Sequence, residues 1–325
     1  MLGAGSWGTA LALQFARCGR QVRLWGRNPE DLAIIVADRE NKRYLPGVAF
    51  PENLSAEPDL AACVGGVTDI LVAVPSHGLR ETLHLIVELL SPDVRICWAT
   101  KGFELSTGKL PHQVAEEVLG DQRAMAVLSG PTFAKEVGMG LPTAMTVAAN
   151  NEGFARGLAN ELSCESFRAY TSTDMLGVEI GGAIKNVLAI AAGLSDGLGF
   201  GANTRIALIT RGLVEMTRLG VAFGAKQETF MGLAGMGDLV LTCTDDLSRN
   251  RRMGLALARG LTVETAQEEI QQVVEGVLAA KAVREVAESE QVEMPICGVV
   301  YGILYEGVAP MDAVASLMSR AITSE

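Results

Sequence analysis

The sequence predicts an α/β chain in two parts, a doubly wound sheet over residues 1–172 and an all-α domain over 173–325. Two observations carry this expectation. In the first half, short apolar runs alternate with stretches of helical spacing, the pattern of strand–helix units packed on both faces of a sheet. After about residue 172 the strand signals almost vanish and helical spacing dominates. The 325 residues are enough for two domains.

In chain order, a helix is expected over about 6–18, then a short strand at "QVRLWG" (21–26). "DILVAV" (69–74) is a near-continuous apolar run, as expected of a parallel strand covered on both faces. "VRICWAT" (94–100) and "AMAVLSG" (124–130) repeat the pattern, with a helix at 78–90 among the connections. "TAMTVAA" (143–149) and "FRAYTS" (167–172) read as strands that extend an edge. In the second half, helices are expected at 174–192, 204–222, 251–258, 262–268, 276–290, 297–305 and 310–321.

The totals exclude several function classes. A formal charge of −11 argues against a nucleic-acid groove or an anionic membrane surface as the main partner. Positive charge for an anionic ligand must then be gathered locally. Six scattered cysteines with no C-x-x-C spacing read as buried free thiols of a reduced compartment. The three histidines form no ligand pattern, so no metal is expected. No apolar run of about 18 residues and no signal peptide stand out, which predicts a cytoplasmic protein not integral to a membrane.

"GAGSWG" places Gly3, Gly5 and Gly8 in G-x-G-x-x-G spacing ahead of a helix. In a dinucleotide-binding turn the first glycine makes the bend, the second lets backbone approach the pyrophosphate, and the third lets helix pack on strand. The helix N-terminus adds unpaired N–H groups and positive dipole. The sheet is therefore expected to be of the Rossmann type. Only Met1 and Leu2 precede Gly3, where the turn needs a strand. The sequence is expected to begin late relative to the natural product, the alternative being a sheet that tolerates a stub. Beyond the next strand, at the offset where an acidic residue holds the ribose 2′-hydroxyl of NAD, stands Arg27. An arginine suits the 2′-phosphate of NADP, so NADP(H) is expected as preferred cofactor or in dual use with NAD(H).

A second constellation surrounds Lys185 in "GGAIKNVLAIAAG" (181–193), an almost wholly apolar stretch. On a helix, Gly181, Gly182 and Ala189 share its face, which suggests room for a nicotinamide and a small substrate. Reducing a ketone by hydride leaves an alkoxide that needs a proton, and a partly desolvated lysine has a lowered pKa suited to that transfer. Lys101, just past the C-terminal end of a strand, sits where open α/β sheets bind ligands. A third constellation, "GLAGMGDLVLTCTDDLSRNRRMG" (232–254), joins a glycine-rich turn, Asp238 and the cluster Arg249, Arg251 and Arg252. Ser248 is placed to cap the following helix, and a helix N-terminus with an arginine fork is a phosphate receptor. Asp238 either pairs with a lysine or simply ends a turn.

Together, "GAGSWGTALA", "VPSH", "TKGFE", "SGPTFAKEV", "GAIKNVLAIAAG", "GLAGMGDLVLTC", "SRNRRMG" and "VVEG" resemble, in order and over nearly the whole chain, bacterial-type NAD(P)-dependent glycerol-3-phosphate dehydrogenase. The resemblance implies reversible reduction of dihydroxyacetone phosphate to sn-glycerol 3-phosphate, which supplies glycerophospholipid synthesis. It implies cofactor contacts at Ser6, Trp7, Arg27, Tyr44, Lys101, Ala134, Arg249, Val273 and Glu275. For the substrate it implies Lys101, Gly130, Thr132, Lys185, Asp238, Ser248, Arg249 and Asn250, with Lys185 as the proton acceptor of the oxidation direction. A dehydrogenase of hydroxy or sugar acids and a non-catalytic NADP-binding sensor are the rival readings. The apolar helical half suggests a homodimer.

Overall fold

The computed structural model describes residues 1–319. It contains two compact units, one of Met1–Lys101 with Lys109–Glu179, the other of Gly102–Gly108 with the residues from Ile180 on. The first unit carries seven strands: β1 (Val22–Leu24), β2 (Leu54–Ala56), β3 (Asp69–Val72), β4 (Arg95–Trp98), β5 (Met125–Ser129), β6 (Thr143–Ala149) and β7 (Phe167–Ser172). β1 and β2 pair in parallel, and β3 to β7 form a second sheet in sequence order. That sheet is parallel except where β6 runs against β5, so the two late strands extend one edge as their sequence suggested.

The strand expected before the glycine turn is present as a stub. Leu2 bridges in parallel to Trp25 on one side and to Val72 on the other. Leu2 N–H donates to the Leu71 carbonyl at 2.8 Å and Ala73 N–H to the Leu2 carbonyl at 2.7 Å. Gly3 N–H donates to Trp25 at 2.8 Å, and Trp25 N–H to Met1 at 2.9 Å. Three residues thus join the two sheets and aim the turn that follows.

Helices Ser6–Arg17, Pro29–Asp38, Ser76–Ile86, Pro111–Leu119 and Glu152–Leu162 accompany the strands. The Pro29–Asp38 helix went unread in the sequence, although its signals are local. Asn28 caps it by accepting from Glu30 N–H at 2.9 Å, proline occupies the first turn, and Glu30 and Asp31 face the positive end of the dipole. The core beneath the sheet is built from Leu11, Leu13, Leu24, Leu54, Leu128, Val147 and Leu162.

At the end of this unit, Glu179 is buried against the sheet. Its carboxylate accepts from Trp98 Nε1 at 2.8 Å and from His112 N–H at 3.0 Å, and it pairs with the His112 ring. A buried carboxylate without such donors would be strongly unfavourable. Burial pushes the Glu179 carboxyl up, while the His112 contacts pull it back. Burial also works against the His112 imidazolium, but Glu179 more than offsets it and the ring titrates above its ordinary value.

The second unit is helical among its described residues. Met175–Gly197, which starts in the first unit, is followed by Ala202–Ala222, Arg249–Ala258, Val263–Ile270, Glu275–Ser289, Pro295–Tyr305 and Pro310–Met318. Residues 320 and 321 of the helix expected at 310–321 lie outside the described residues. Met175–Gly197 is long and apolar enough to cross a membrane by length and composition, contrary to the expectation that no such run exists. Its most apolar window is 89% buried inside the protein. It is a core helix, and its backbone touches the Arg249–Ala258 helix: a Cβ on Gly254 would strike the Ile190 carbonyl oxygen, and one on Gly193 the Arg251 carbonyl oxygen. Glu215, buried on Ala202–Ala222, accepts from Ile296 N–H at 2.7 Å and Cys297 N–H at 3.2 Å, capping Pro295–Tyr305 from a distance.

The Glu179–His112 pair makes a pH-dependent contribution of known sign. Because the folded His112 pKa is raised, its stabilisation is complete below the unfolded value of about 6.5 and is lost as pH rises through the folded value. In Glu179→Gln, burial acts on the ring without the carboxylate. The His112 midpoint followed by NMR is expected to fall below the wild-type midpoint; an unchanged midpoint would remove Glu179 as the cause.

Candidate active site

The glycine turn is built as the spacing demands. Gly3 sits at φ +115°, and a Cβ there would strike the Ala73 carbonyl oxygen. A Cβ on Gly8 would strike the Gly3 carbonyl oxygen, so the helix can enter only without one. At Gly5 a Cβ would meet nothing within 4 Å. That opening leaves backbone approachable where a pyrophosphate would lie, at the N-terminus of Ser6–Arg17, which no side chain caps. Ser6 and Trp7 occupy its first turn, and Trp7 Nε1 is buried with no hydrogen-bond partner.

Gly3, Gly5, Arg27 and Tyr44 line one cleft of about 280 Å³, together with Asn28, Asp31, His77 and Glu81. Arg27 stands at its rim, 3.6 Å from Glu81, with both side chains mostly exposed. Such an exposed pair is worth little and opens readily to a competing anion. Arg43 holds Asp31 through two 2.8 Å contacts and stacks on Tyr44. These features fit a dinucleotide.

Four further expected residues follow the ends of strands in the same unit. Lys101 is the third residue after the C-terminal end of β4. Gly130 follows β5 at φ +158°, where a Cβ would come within 2.9 Å of the Met145 Cα. Thr132 Oγ1 donates to the Gly130 carbonyl at 3.1 Å, and Ala134 opens the Ala134–Met139 helix.

In the helical unit, Lys185 is only 7% exposed and Asp238 2%. Lys185 Nζ donates to Asp238 Oδ1 at 2.5 Å and to Thr242 Oγ1 at 3.2 Å. Of the two readings of Asp238, the structure has the lysine pair. Thr242 was missed, although its signal is simple: Asp238 and Thr242 stand four apart, on one face of the Asp238–Thr244 helix. The segment read as a glycine-rich turn is instead a π-helical turn, Leu233–Gly237, leading into that helix. The reason given for the small face around Lys185 also changes. A Cβ on Gly181 would come within 2.6 Å of the Ala234 carbonyl oxygen, so the π turn, not a ligand, occupies that space.

Beside Lys185, Asn186 links two expected residues. It donates to Glu275 at 3.4 Å and accepts from Asn250 Nδ2 at 2.8 Å, while Asn250 Oδ1 accepts from Gly276 N–H at 2.8 Å. Asn186 was not singled out in the sequence, although it is the other polar residue of that apolar stretch. Ser248 caps the Arg249–Ala258 helix as expected, accepting from Arg251 N–H at 3.2 Å. The arginine fork is narrower than the sequence suggested. Arg251 is buried and spent on Asp196, at 2.7 Å, and on Asp246. Arg249, half-buried in the first turn, makes no ion pair among the described residues. Val273 is exposed in the loop before Glu275–Ser289, apart from the hydrogen-bonded chain.

Known proteins share this arrangement. Residues 1–155 match the model of the N-terminal part of NAD-dependent glycerol-3-phosphate dehydrogenase, and residues 174–315 match that of its C-terminal part. The chain is 54% identical to a glycerol-3-phosphate dehydrogenase [NAD(P)+] from Shigella boydii, covering all of this chain and 96% of that one. The crystal structure of a glycerol-3-phosphate dehydrogenase from Coxiella burnetii superposes with a TM-score of 0.95 at 50% identity, over 98% of each chain. A yeast glycerol-3-phosphate dehydrogenase superposes with a TM-score of 0.84 at 28% identity, also over 98% of each.

The placement of the π turn separates two accounts of Gly181. Were the glycine there to admit a ligand, Gly181→Ala would raise Tm in the ligand-free protein, by the helix-propensity gain of about 1 kcal/mol. Because backbone fills the space, overpacking of about 1–3 kcal/mol is expected to win. Thermal unfolding without ligand should show a lower Tm.

Proposed function

Since the chain belongs to the NAD-dependent glycerol-3-phosphate dehydrogenase family, we propose that it reduces dihydroxyacetone phosphate to sn-glycerol 3-phosphate reversibly, with Lys185 as the acid/base. It is an NAD(P)-dependent oxidoreductase, and its product feeds glycerophospholipid synthesis. The observation that carries the role of Lys185 is its burial in contact with Asp238 and Thr242. Bound NAD(P)H supplies the hydride. The glycine turn and the cleft of Arg27 and Tyr44 hold the dinucleotide, with Ser6, Trp7, Lys101, Ala134, Arg249, Val273 and Glu275 as further contacts.

The remaining steps belong to side chains of this protein. Arg249, at the N-terminus of the Ser248-capped helix, receives the substrate phosphate, and Asn250 braces that turn. Gly130 and Thr132 shape the substrate side after β5. Lys101 and Lys185 stabilise the oxyanion as it forms. Asp238 and Thr242 fix the direction of two of the three N–H bonds of Lys185, and the amine gives its proton to the alkoxide. We further infer a cytoplasmic homodimer; an apolar groove of about 750 Å³ lined by Leu208, Val214, Val299 and Ile303 supports the pairing.

Mixing enzyme, NADPH and dihydroxyacetone phosphate is expected to deplete the reduced nicotinamide, and Lys185→Ala is expected to lower kcat by at least about 10²-fold. Near-full turnover in that variant would overturn the assignment. Arg27→Ala is expected to raise KM for NADPH more than KM for NADH. Equal changes for the two cofactors would take Arg27 away from the 2′-phosphate.

A further inference from the structure

Two half-buried thiols, far apart in the chain, meet on one side-chain amide. Gln14 Nε2 lies 3.3 Å from Cys18 Sγ and 3.0 Å from Cys164 Sγ. The same nitrogen donates to the Leu162 carbonyl at 3.0 Å, and Cys18 Sγ reaches that carbonyl at 3.2 Å. The Cys164 thiol acts on the Cys18 thiol and raises it, as expected of two sulfurs that share one amide neighbour. Cys18 is the C-cap of Ser6–Arg17, the helix that begins at the glycine turn. Cys164 opens a tight turn into β7, closed by two 3.0 Å backbone hydrogen bonds with Phe167. Cys63, Cys97, Cys243 and Cys297 are buried, whereas these two are partly exposed. All six are free thiols as expected, but the expected burial fails at this pair.

We propose that Cys18 and Cys164 form a redox-active dithiol that closes to an intramolecular disulfide on reaction with a hydroperoxide. The crosslink ties the tail of the glycine-turn helix to the turn that enters the edge strand β7. The attacking species is a thiolate. Burial and the neighbouring thiol push Cys18 up to about 12, so in this scheme Cys18 takes the second, resolving step and Cys164 the first attack. Gln14 Nε2 lies within reach of both sulfurs, and its N–H favours negative charge on Cys18. Arg20 acts on Cys18 in the same sense, and Arg17 carries a further positive charge beside the pair.

The steps balance. The Cys164 thiolate attacks one peroxide oxygen, the O–O bond breaks, and water or an alcohol leaves with the proton, giving a sulfenic acid. Cys18 sulfur then attacks Cys164 sulfur, the S–O bond breaks, and hydroxide departs as water with the proton from Cys18. Two electrons pass from the thiols to the peroxide. An external dithiol returns them through two exchanges and becomes the disulfide itself.

The test is peptide mapping and intact mass of the full chain after brief exposure to a few equivalents of hydrogen peroxide. The expected wild-type result is a loss of about 2 Da, one Cys18–Cys164 crosslinked peptide, and full reversal by dithiothreitol. In Cys18→Ser, dimedone is expected to trap a sulfenic acid at Cys164. In Cys164→Ser, Cys18 is expected to take up no dimedone over the same interval. A crosslink to any other cysteine, sulfinic acid without a crosslink, or an unmodified wild-type protein would overturn the proposal. The wild-type measurement stands alone should either variant fold poorly.

Discussion

The helical unit is organised around one constraint: an ammonium group buried on a core helix needs a counter-charge and hydrogen-bond acceptors. Lys185 finds these on a single short helix, where Asp238 and Thr242 share a face. Deleting one member of such a pair leaves an uncompensated buried charge, worth about 3–5 kcal/mol of destabilisation in comparable cases. The helix bearing Asp238 must therefore lie hard against the helix bearing Lys185. That requirement explains Gly181, which lets the π turn ahead of Asp238 press its backbone onto the lysine helix.

The glycine turn obeys a different constraint, set by hydrogen bonds of the sheet rather than by charge. Four backbone bonds made by Met1, Leu2 and Gly3 fix the direction in which the chain leaves the sheet. Gly3 and Gly8 then let strand and helix touch, and Gly5 keeps one side open. Arginine and carboxylate alternate around the neighbouring cleft, with Arg27 against Glu81 and Arg43 against Asp31. Such a rim offers acceptors to a hydroxyl and cations to a phosphate, which suits use of both nicotinamide cofactors.

Much of this was legible because the signals were local or strongly periodic. The apolar runs that became β3, β4 and β5, the long helices of the second half, and the Ser248 cap all announce themselves within a few residues. β2 did not, since three residues, Leu54–Ala56, carry too little alternation to stand out. The pairing of Lys185 with Thr242 spans 57 residues of chain and was hidden, although the four-residue spacing of Asp238 and Thr242 was visible. Arg251 misled for the same reason. A cluster of arginines reads as a receptor until the acids that neutralise one of them, Asp196 and Asp246, are found in space. The glycines beside Lys185 show the converse error, because a gap in one helix says nothing about what fills it.

The contact of Gly193 and Gly254 reaches beyond packing. With no side chain on either glycine, the two helices lie so close that a Cβ on one would strike the backbone of the other. One carries Lys185 and the other begins at Arg249. Their separation is thereby set by backbone contact, which fixes the distance between Lys185 and the helix start at Arg249. Under the proposed roles of Arg249 and Lys185, that fixed distance selects substrates by length.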